Sequence, residues 1–330
     1  MKSIAIFIER RNQKICSVGL ELLSETKRLL KDSDNQIVAL YLTDKKTDED
    51  INRLETCGAD KIITYVDPLF QTYDTLIYTK GLENIIKSND FDVLLLGSTL
   101  IGRDLGPRLS ARVHTGLTAD ATLLEFEQTE ERLNLLATRP ALGGNLFATI
   151  ICPDHKPQMA TIRPGVFSIE VFDNHKAEKV VFEEKILIKS KVEILSKKVN
   201  ETAYVDLTKA KLIIAGGRGV ATMFPTLKEI ALLTGGEVAA SRAVVDQNIE
   251  PKDRQVGQTG VTVRPSVYVA SGISGAIQHM SGMDKSEMII AINTDPNALI
   301  FNVADISIIA DANKVLPLLK EEIQLIKHQL

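Results

Sequence analysis

Three short segments in the last third of the chain combine glycines with polar side chains in patterns suited to holding a phosphate. Gly216-Gly217-Arg218-Gly219 follows the apolar run Lys211–Ala215. Backbone N–H groups at such a strand–turn–helix junction can cradle an anion, and Arg218 is placed to reach a phosphate or a ring. The run Gly217–Thr222 begins like the dinucleotide fingerprint G-x-G-x-x-G but carries Thr222 at the third glycine position. Taken alone, it reads equally well as a tight turn. A second turn, Gln255-Val256-Gly257-Gln258-Thr259-Gly260, adds two hydrogen-bonding side chains, Gln258 and Thr259, between glycines that permit close backbone approach to a ligand. The third segment, Ser271–His279, puts Ser274 and Gly275 at a predicted helix N-terminus, with Gln278 and His279 one turn further in. A lone histidine is ordinarily a satisfied structural residue; this one adjoins a glycine-rich strand end with two similar turns close by.

The elements around these turns decide whether they meet. Lys211–Ala215, Val267–Ala270, Met288–Ile292 and Ile306–Ile309 read as buried strands. Pro225 suits the start of a helix running to Leu233, a short helix begins at Ile277, and Val315–Lys327 is amphipathic. In a doubly wound sheet, ligands bind outside the carboxyl ends of the strands. All three turns fall there, and together they predict a nucleotide cofactor.

The N-terminal part also alternates strands with helices. Ser3–Ile8, Gln36–Leu42, Lys61–Tyr65 and Asp92–Leu96 are predicted strands; Val18–Leu30, Asp48–Thr56 with Thr47 as N-cap, Leu76–Lys87 and Ile101–Arg112 are predicted helices. From Ala119 to Val166 the pattern turns to strands with little helix, broken by Pro140–Asn145, Pro153, Pro157 and Pro164, which predicts antiparallel additions to the parallel sheet. Residues 173–207 are polar and charged and are assigned to the connection between domains. The expected fold is therefore α/β in two domains. An N-terminal, mostly parallel sheet with antiparallel additions spans residues 1–200, and a C-terminal doubly wound parallel sheet spans 208–330.

A length of 330 residues agrees with two cores. Apolar residues at 44% and charged residues at 25% describe an ordinary globular composition. The net charge of −4, without a basic block, argues against an electrostatic grip on nucleic acid or anionic lipid. No stretch has the roughly 18–20 apolar residues of a membrane span, and Met1–Glu9 reads as a strand, not a leader. The expectation is a protein of the prokaryotic cytoplasm. Cys16, Cys57 and Cys152 are odd in number and widely spaced, which predicts free, buried or half-buried thiols and neither disulfide nor zinc site.

The same residues resemble a family. Tyr268-Val269-Ala270-x-Gly272-Ile273-Ser274-Gly275-x-Ile277-Gln278-His279-x-x-Gly282, followed by Ile290-Ala291-Ile292-Asn293, looks like the signature of the electron-transfer flavoprotein α subunit. Gly216–Gly219, Ser241-Arg242-Ala243-x-x-Asp246 and Gln255–Gly260 match its other FAD segments. The N-terminal domain matches in Gly102-Arg103-Asp104-Leu105, Ser110-Ala111-Arg112, His114–Asp120 and Thr138-Arg139-Pro140. The resemblance covers essentially all of residues 208–330. It implies FAD bound by Arg218, Ser241, Arg242, Gln255, Val256, Gly257, Gln258, Thr259, Ser274, Gly275, Ala276, Ile277, Gln278, His279, Asn293, Asp311 and Ala312. It also implies Arg242 over the flavin, Thr259 near N5, His279 near O2 and Gln258 helping to bend the ribityl chain. The sequence departs from the family pattern at Val220–Phe224, which replaces a more polar, glycine-rich continuation. It departs again at Thr294, where the family often has Lys.

Chemically, one-electron reduction gathers negative charge at the N1/O2 edge of a flavin, where a cation or hydrogen-bond donor stabilises it. A unit charge about 4 Å away at an effective dielectric near 20 is worth ~4 kcal/mol. With ~1.4 kcal/mol equivalent to roughly 59 mV for one electron, that could move the potential by more than ~100 mV. The implied function is electron carriage without bond-breaking chemistry, as a heterodimer with a β subunit, between acyl-CoA dehydrogenases and other redox partners. Ile151-Cys152-Pro153-x-His155-x-Pro157 through Arg163-Pro164-Gly165 looks like the version found in anaerobic bacteria. Many of those complexes bifurcate electrons from NADH to ferredoxin and an enoyl-CoA-type acceptor, using a second flavin and an NADH site on the β subunit. Two other classes compete: a stand-alone NAD-binding oxidoreductase, opposed by Thr222 and by the lack of a catalytic His/Asp pair, and a redox-silent scaffold, opposed by the intact polar turns.

Overall fold

The computed structural model describes residues 2–31, 33–141, 146–196 and 206–329. The predicted turn at Pro140–Asn145 lies partly outside them, at 142–145. Two compact units divide the chain, Met1–Lys197 and Lys198–Leu330.

The first unit begins with β1 (Ser3–Phe7), a small hairpin of β2 (Arg10–Arg11) and β3 (Lys14–Ile15), and α1 (Ser17–Leu29). Next come β4 (Gln36–Thr43), α2 (Asp48–Thr56), β5 (Lys61–Val66), α3 (Thr75–Ser88), β6 (Val93–Gly97) and α4 (Leu100–Arg112). Strands β7 (Leu117–Ala121), β8 (Leu123–Gln128), β9 (Leu133–Ala141), β10 (Leu146–Ile150), β11 (Gln158–Ile162) and β12 (Glu178–Phe182) complete it. Seven of these strands form one parallel sheet in the order β12-β5-β4-β1-β6-β11-β7. Its central strands are apolar on both faces, as a sheet covered on both sides requires: Ile4 and Ile6 point to one core, Ala5 and Phe7 to the other. Thr47 caps α2 as predicted, accepting the Asp50 N–H at 3.2 Å.

Two expectations change here. The antiparallel strands do not extend the parallel sheet; β8, β9 and β10 form a three-stranded sheet of their own. The polar segment assigned to the interdomain connection contains β12, which pairs with β5 at the edge of the main sheet. At the edge of the sheet, every residue of Glu178–Phe182 is exposed or half-buried, including Val180, Val181 and Phe182.

The second unit consists of β13 (Leu212–Gly216), α5 (Phe224–Thr234), β14 (Glu237–Ala240), α6 (Arg242–Val245), β15 (Val267–Ser271), α7 (Ile277–Met280), β16 (Ile289–Asn293), β17 (Ile306–Ile309) and α8 (Ala312–Gln329). Its five strands are all parallel, in the order β14-β13-β15-β16-β17. Alternate residues serve opposite cores. Ile214, Val269 and Ile292 pack with α5 and α8, while Ala215, Tyr268 and Ala270 pack under Val256, Val263, Met283 and Ile300. The second face is thus covered mainly by loops, and those loops carry the predicted site. Pro225 stands in the first turn of α5, and Gly235 ends that helix in the left-handed conformation at φ 67°.

Candidate functional site

The carboxyl ends of all five strands of the second unit lie level with one another. Gly216 is paired with Ala240 on one side and Ser271 on the other, Ser271 with Ile292, and Asn293 with Ile309. The chain runs outward from β13 to β14 and then returns past β13 to β15, so the topological switch point, where such sheets bind ligands, falls between β13 and β15. Gly217 through Gly219 leave one of these strands and Gly272 through Gly275 leave the other.

Main-chain hydrogen bonds tie the loops into a continuous rim. The N–H of Gly217 donates to the Ser271 carbonyl at 2.8 Å, and that of Gly219 to Gly272 at 3.3 Å. Ser241 donates to Gly216 at 3.0 Å and Val256 to Ala240 at 3.0 Å. The Gln258 N–H reaches the Gln278 carbonyl at 2.6 Å, latching the 255–260 turn onto α7. On the other side, Ile300 donates to Ser274 at 3.2 Å, the Asn293 side-chain amide donates to the Ile273 carbonyl at 2.9 Å, and Ala310 donates to Asn293 at 3.0 Å. The structure therefore brings every predicted segment, from Arg218 to Asp311 and Ala312, to one end of one sheet.

Within that rim the side chains divide by exposure. Arg218, Arg242, Gln258, Thr259, Ser274, Ala276 and Gln278 are exposed, and Ser241, Ile277, Asn293 and Asp311 are half-buried. Gln255, Val256, Gly257, Gly275, His279 and Ala312 are buried. The glycines answer to the scaffold first. Gly257, at φ 136°, would with a Cβ stand 2.6 Å from the Gln278 carbonyl oxygen. Gly275, at φ 85°, would have one 2.6 Å from the Ile300 Cα. The close approach that the sequence suggested for a ligand is, at Gly257, an approach of one loop to another. α7 is a single turn of four residues, so the helix dipole expected at Ser274 and Gly275 has little length to build on.

Several polar groups facing this end have no protein partner. The Ser271 hydroxyl is fully buried without a hydrogen bond. The backbone N–H groups of Ser274, Gly275 and Ala276 meet no acceptor among the described residues. Arg218 forms no ion pair there, and Arg242 is held only by exposed Asp246 at 3.4 Å. Orphaned donors beside one unpaired and one loosely paired guanidinium group suit an anionic, oxygen-rich ligand such as a pyrophosphate. The residues present fit a dinucleotide cofactor.

His279 is held differently from a surface ligand-binding histidine. Its Nε2 shares a 3.0 Å hydrogen bond with the Tyr268 hydroxyl, and its Nδ1 is buried without a well-formed partner. Burial pushes its pKa down to about 4, against a weaker opposing pull from the Val256 backbone. Burial also pushes the Tyr268 hydroxyl up, so it keeps its proton. At neutral pH His279 is uncharged, and the cations on the rim are Arg218 and Arg242. Two contributors escaped the sequence reading. One is Tyr268, read as a strand residue and as part of the family signature, but not as a partner of His279. The other is Asn313, whose amide donates to the Gly219 carbonyl at 3.2 Å and to Asp311 at 2.9 Å. That bond and the Asn313 N–H hold the Asp311 carboxyl below its ordinary range.

A cavity of about 550 Å³ elsewhere has all its lining residues on α4, among them Arg103, Arg108 and Arg112. One helix gives a groove only one wall, so this reads as solvated surface. Among the described residues, no group of three or more His, Cys, Asp or Glu could hold a metal ion, and no helix is long and apolar enough to cross a membrane. Cys57 is buried, Cys16 and Cys152 are half-buried, and all three are free.

Fold and rim together define a nucleotide-cofactor domain of the doubly wound α/β class joined to a second α/β unit. The electron transfer flavoprotein domain family matches residues 4–186, and the electron transfer flavoprotein FAD-binding domain family matches residues 206–284. The chain is 44% identical over 324 residues to the electron transfer flavoprotein subunit alpha of Clostridium acetobutylicum, covering 96% of this chain and 95% of that one. It is 47% identical to protein FixB of Clostridium saccharobutylicum, covering 96% and 94%. It is 39% identical to the acryloyl-CoA reductase electron transfer subunit beta of Anaerotignum propionicum, covering 98% and 96%. The chain belongs to the electron transfer flavoprotein family, with the length and domain order of its alpha subunits, and its second unit is the flavin-binding one.

Proposed function

We propose that the second unit binds FAD along the strand-end rim and that the first unit packs on a β subunit. The heterodimer then carries electrons between dehydrogenases of the acyl-CoA type and other redox partners in the cytoplasm. The observation that carries this reading is the convergence of five strand ends on orphaned donors, the unpaired Arg218 and the loosely paired Arg242. FAD, when bound, supplies the capacity to take up and release single electrons. The protein's part is to grip and to tune. Arg218 and the free N–H groups of Ser274 to Ala276 would hold the phosphates. Arg242 would place positive charge by the ring, and Gln258 and Thr259 would offer hydrogen bonds from the latched turn. No side-chain pair poised for proton abstraction or nucleophilic attack is needed for this role.

The test is co-purification with the β subunit. One FAD per α subunit, with flavin retention weakened in Arg218→Ala, is the expected result. An αβ complex that retains no flavin after saturation with FAD overturns the proposal. A second reading, electron bifurcation from NADH to ferredoxin and an enoyl-CoA-type acceptor, draws support from the similarity to the acryloyl-CoA reductase subunit. Anaerobic NADH added to the complex should then bleach a flavin, and no bleaching excludes it.

A further inference from the structure

Gln255 is an outlier among the predicted contacts. It is only 4% exposed, lies at the base of its turn, and has its backbone fixed at both ends. Its N–H donates to the Lys252 carbonyl at 3.1 Å and its carbonyl accepts from Val261 at 2.7 Å. With the main chain held this way, its side-chain Nε2 donates to the Thr259 hydroxyl oxygen at 2.9 Å, while Thr259 itself is exposed on the rim.

We propose that Gln255 is a positioning residue that fixes the Thr259 hydroxyl so that it turns its proton, not a lone pair, towards the bound cofactor. A threonine hydroxyl has one proton to give and lone pairs with which to accept. Once Nε2 occupies a lone pair, the O–H is free to point outward as a donor, and the bond stops the side chain from rotating. A donor aimed at an acceptor on a flavin ring strengthens as the ring gains negative charge, because hydrogen bonds to charged groups are the stronger class. Gln255 would thus raise the one-electron reduction potential without touching the flavin. The opposite amide orientation would take the hydroxyl proton and present lone pairs instead, with the opposite effect on potential.

This inference rests on the flavin reading given above, and the experiment separates the two. In the FAD-loaded αβ complex, the first reduction potential is measured for the unsubstituted protein, Gln255→Leu, Thr259→Val and the double variant. Each single variant should lower the one-electron equilibrium about tenfold, roughly 59 mV, and Gln255→Leu should add nothing in the Thr259→Val background. Additive shifts, or a rise in potential on Gln255→Leu, overturn the positioning role alone; an unsubstituted complex that takes up no flavin overturns both. Should Gln255→Leu fail to fold, the near-isosteric Gln255→Glu replaces it, and a potential equal to that of the unsubstituted complex overturns the role. Independently of flavin, one Gln255 side-chain amide proton should exchange slowly by NMR in the flavin-free chain and become fast-exchanging in Thr259→Val. Unchanged exchange overturns the bond itself.

Discussion

Arg242 and His279 were expected to play related electrostatic parts, and their surroundings separate them. Arg242 stands exposed at the start of α6 with a loose partner, Asp246, that is exposed as well. Such pairs contribute little to stability. Arg242→Ala should therefore leave the melting temperature nearly unchanged while lowering the first flavin reduction potential; an unchanged redox titration would remove the role. His279, by contrast, is buried and uncharged, and its Nε2 is paired with the Tyr268 hydroxyl. Its folded pKa of about 4 lies below the ordinary 6.5, so the folded state binds fewer protons than the unfolded one between those values. Its contribution is fully present above about pH 6.5 and is lost progressively as pH falls towards 4, by an amount on the order of 3 kcal/mol. Urea unfolding across that range should show stability falling with acid, and His279→Gln should flatten the slope. Arg218, Gln258, Thr259, Ser274 and Gln278 were legible in the sequence because glycines and polar side chains flank them, whereas Arg242 and Ala276 came through the family resemblance. Tyr268 and Asn313 were not, because their roles exist only as contacts to residues distant in the chain.

At the scale of elements, the rim loops of the second unit hold glycines, among them Gly217, Gly257, Gly260 and Gly275, where a Cβ would meet backbone atoms. Gly275→Ala would force a left-handed backbone on alanine and drive its methyl group into the backbone at Ile300. The cost should exceed about 3 kcal/mol, read as a lowered urea midpoint for the second unit; a midpoint within experimental error of the unsubstituted chain would contradict the geometry. Most of the strands and helices could be read from the sequence because their period is strong: Asp48–Thr56 with its Thr47 cap, and Ile306–Ile309, match the structure residue for residue. The weakly patterned pieces were lost. β14 is only four residues long between Gly235-Gly236 and Ser241-Arg242, and β12 is a five-residue strand at the sheet edge within a charged segment. The sequence also gave no means of telling that β8 to β10 pair only with one another, since register and partner are not local properties.

Across the whole chain, two units with separate cores need not unfold together. Every predicted cofactor residue belongs to the second unit. FAD at ~100 times its Kd should stabilise that unit by about 2.7 kcal/mol and leave the unfolding of the first unit where it was. Calorimetry with and without FAD checks this, and equal shifts in both transitions would count against a site confined to residues 206–329.

The hydrogen bonds that close the rim are made almost entirely by main-chain atoms, from Gly217 to Ser271 and from Gln258 to Gln278. A frame built this way is indifferent to the identity of the outward side chains. Positions 218, 242, 258, 259, 274 and 278 can be exchanged with little effect on whether the frame forms. On the proposed reading, the cofactor's potential is then set by a few rim side chains and by Gln255 behind Thr259, while the frame itself does not depend on them. Chains sharing this frame could be matched to donors and acceptors of quite different potential by substitutions at those positions and at 255.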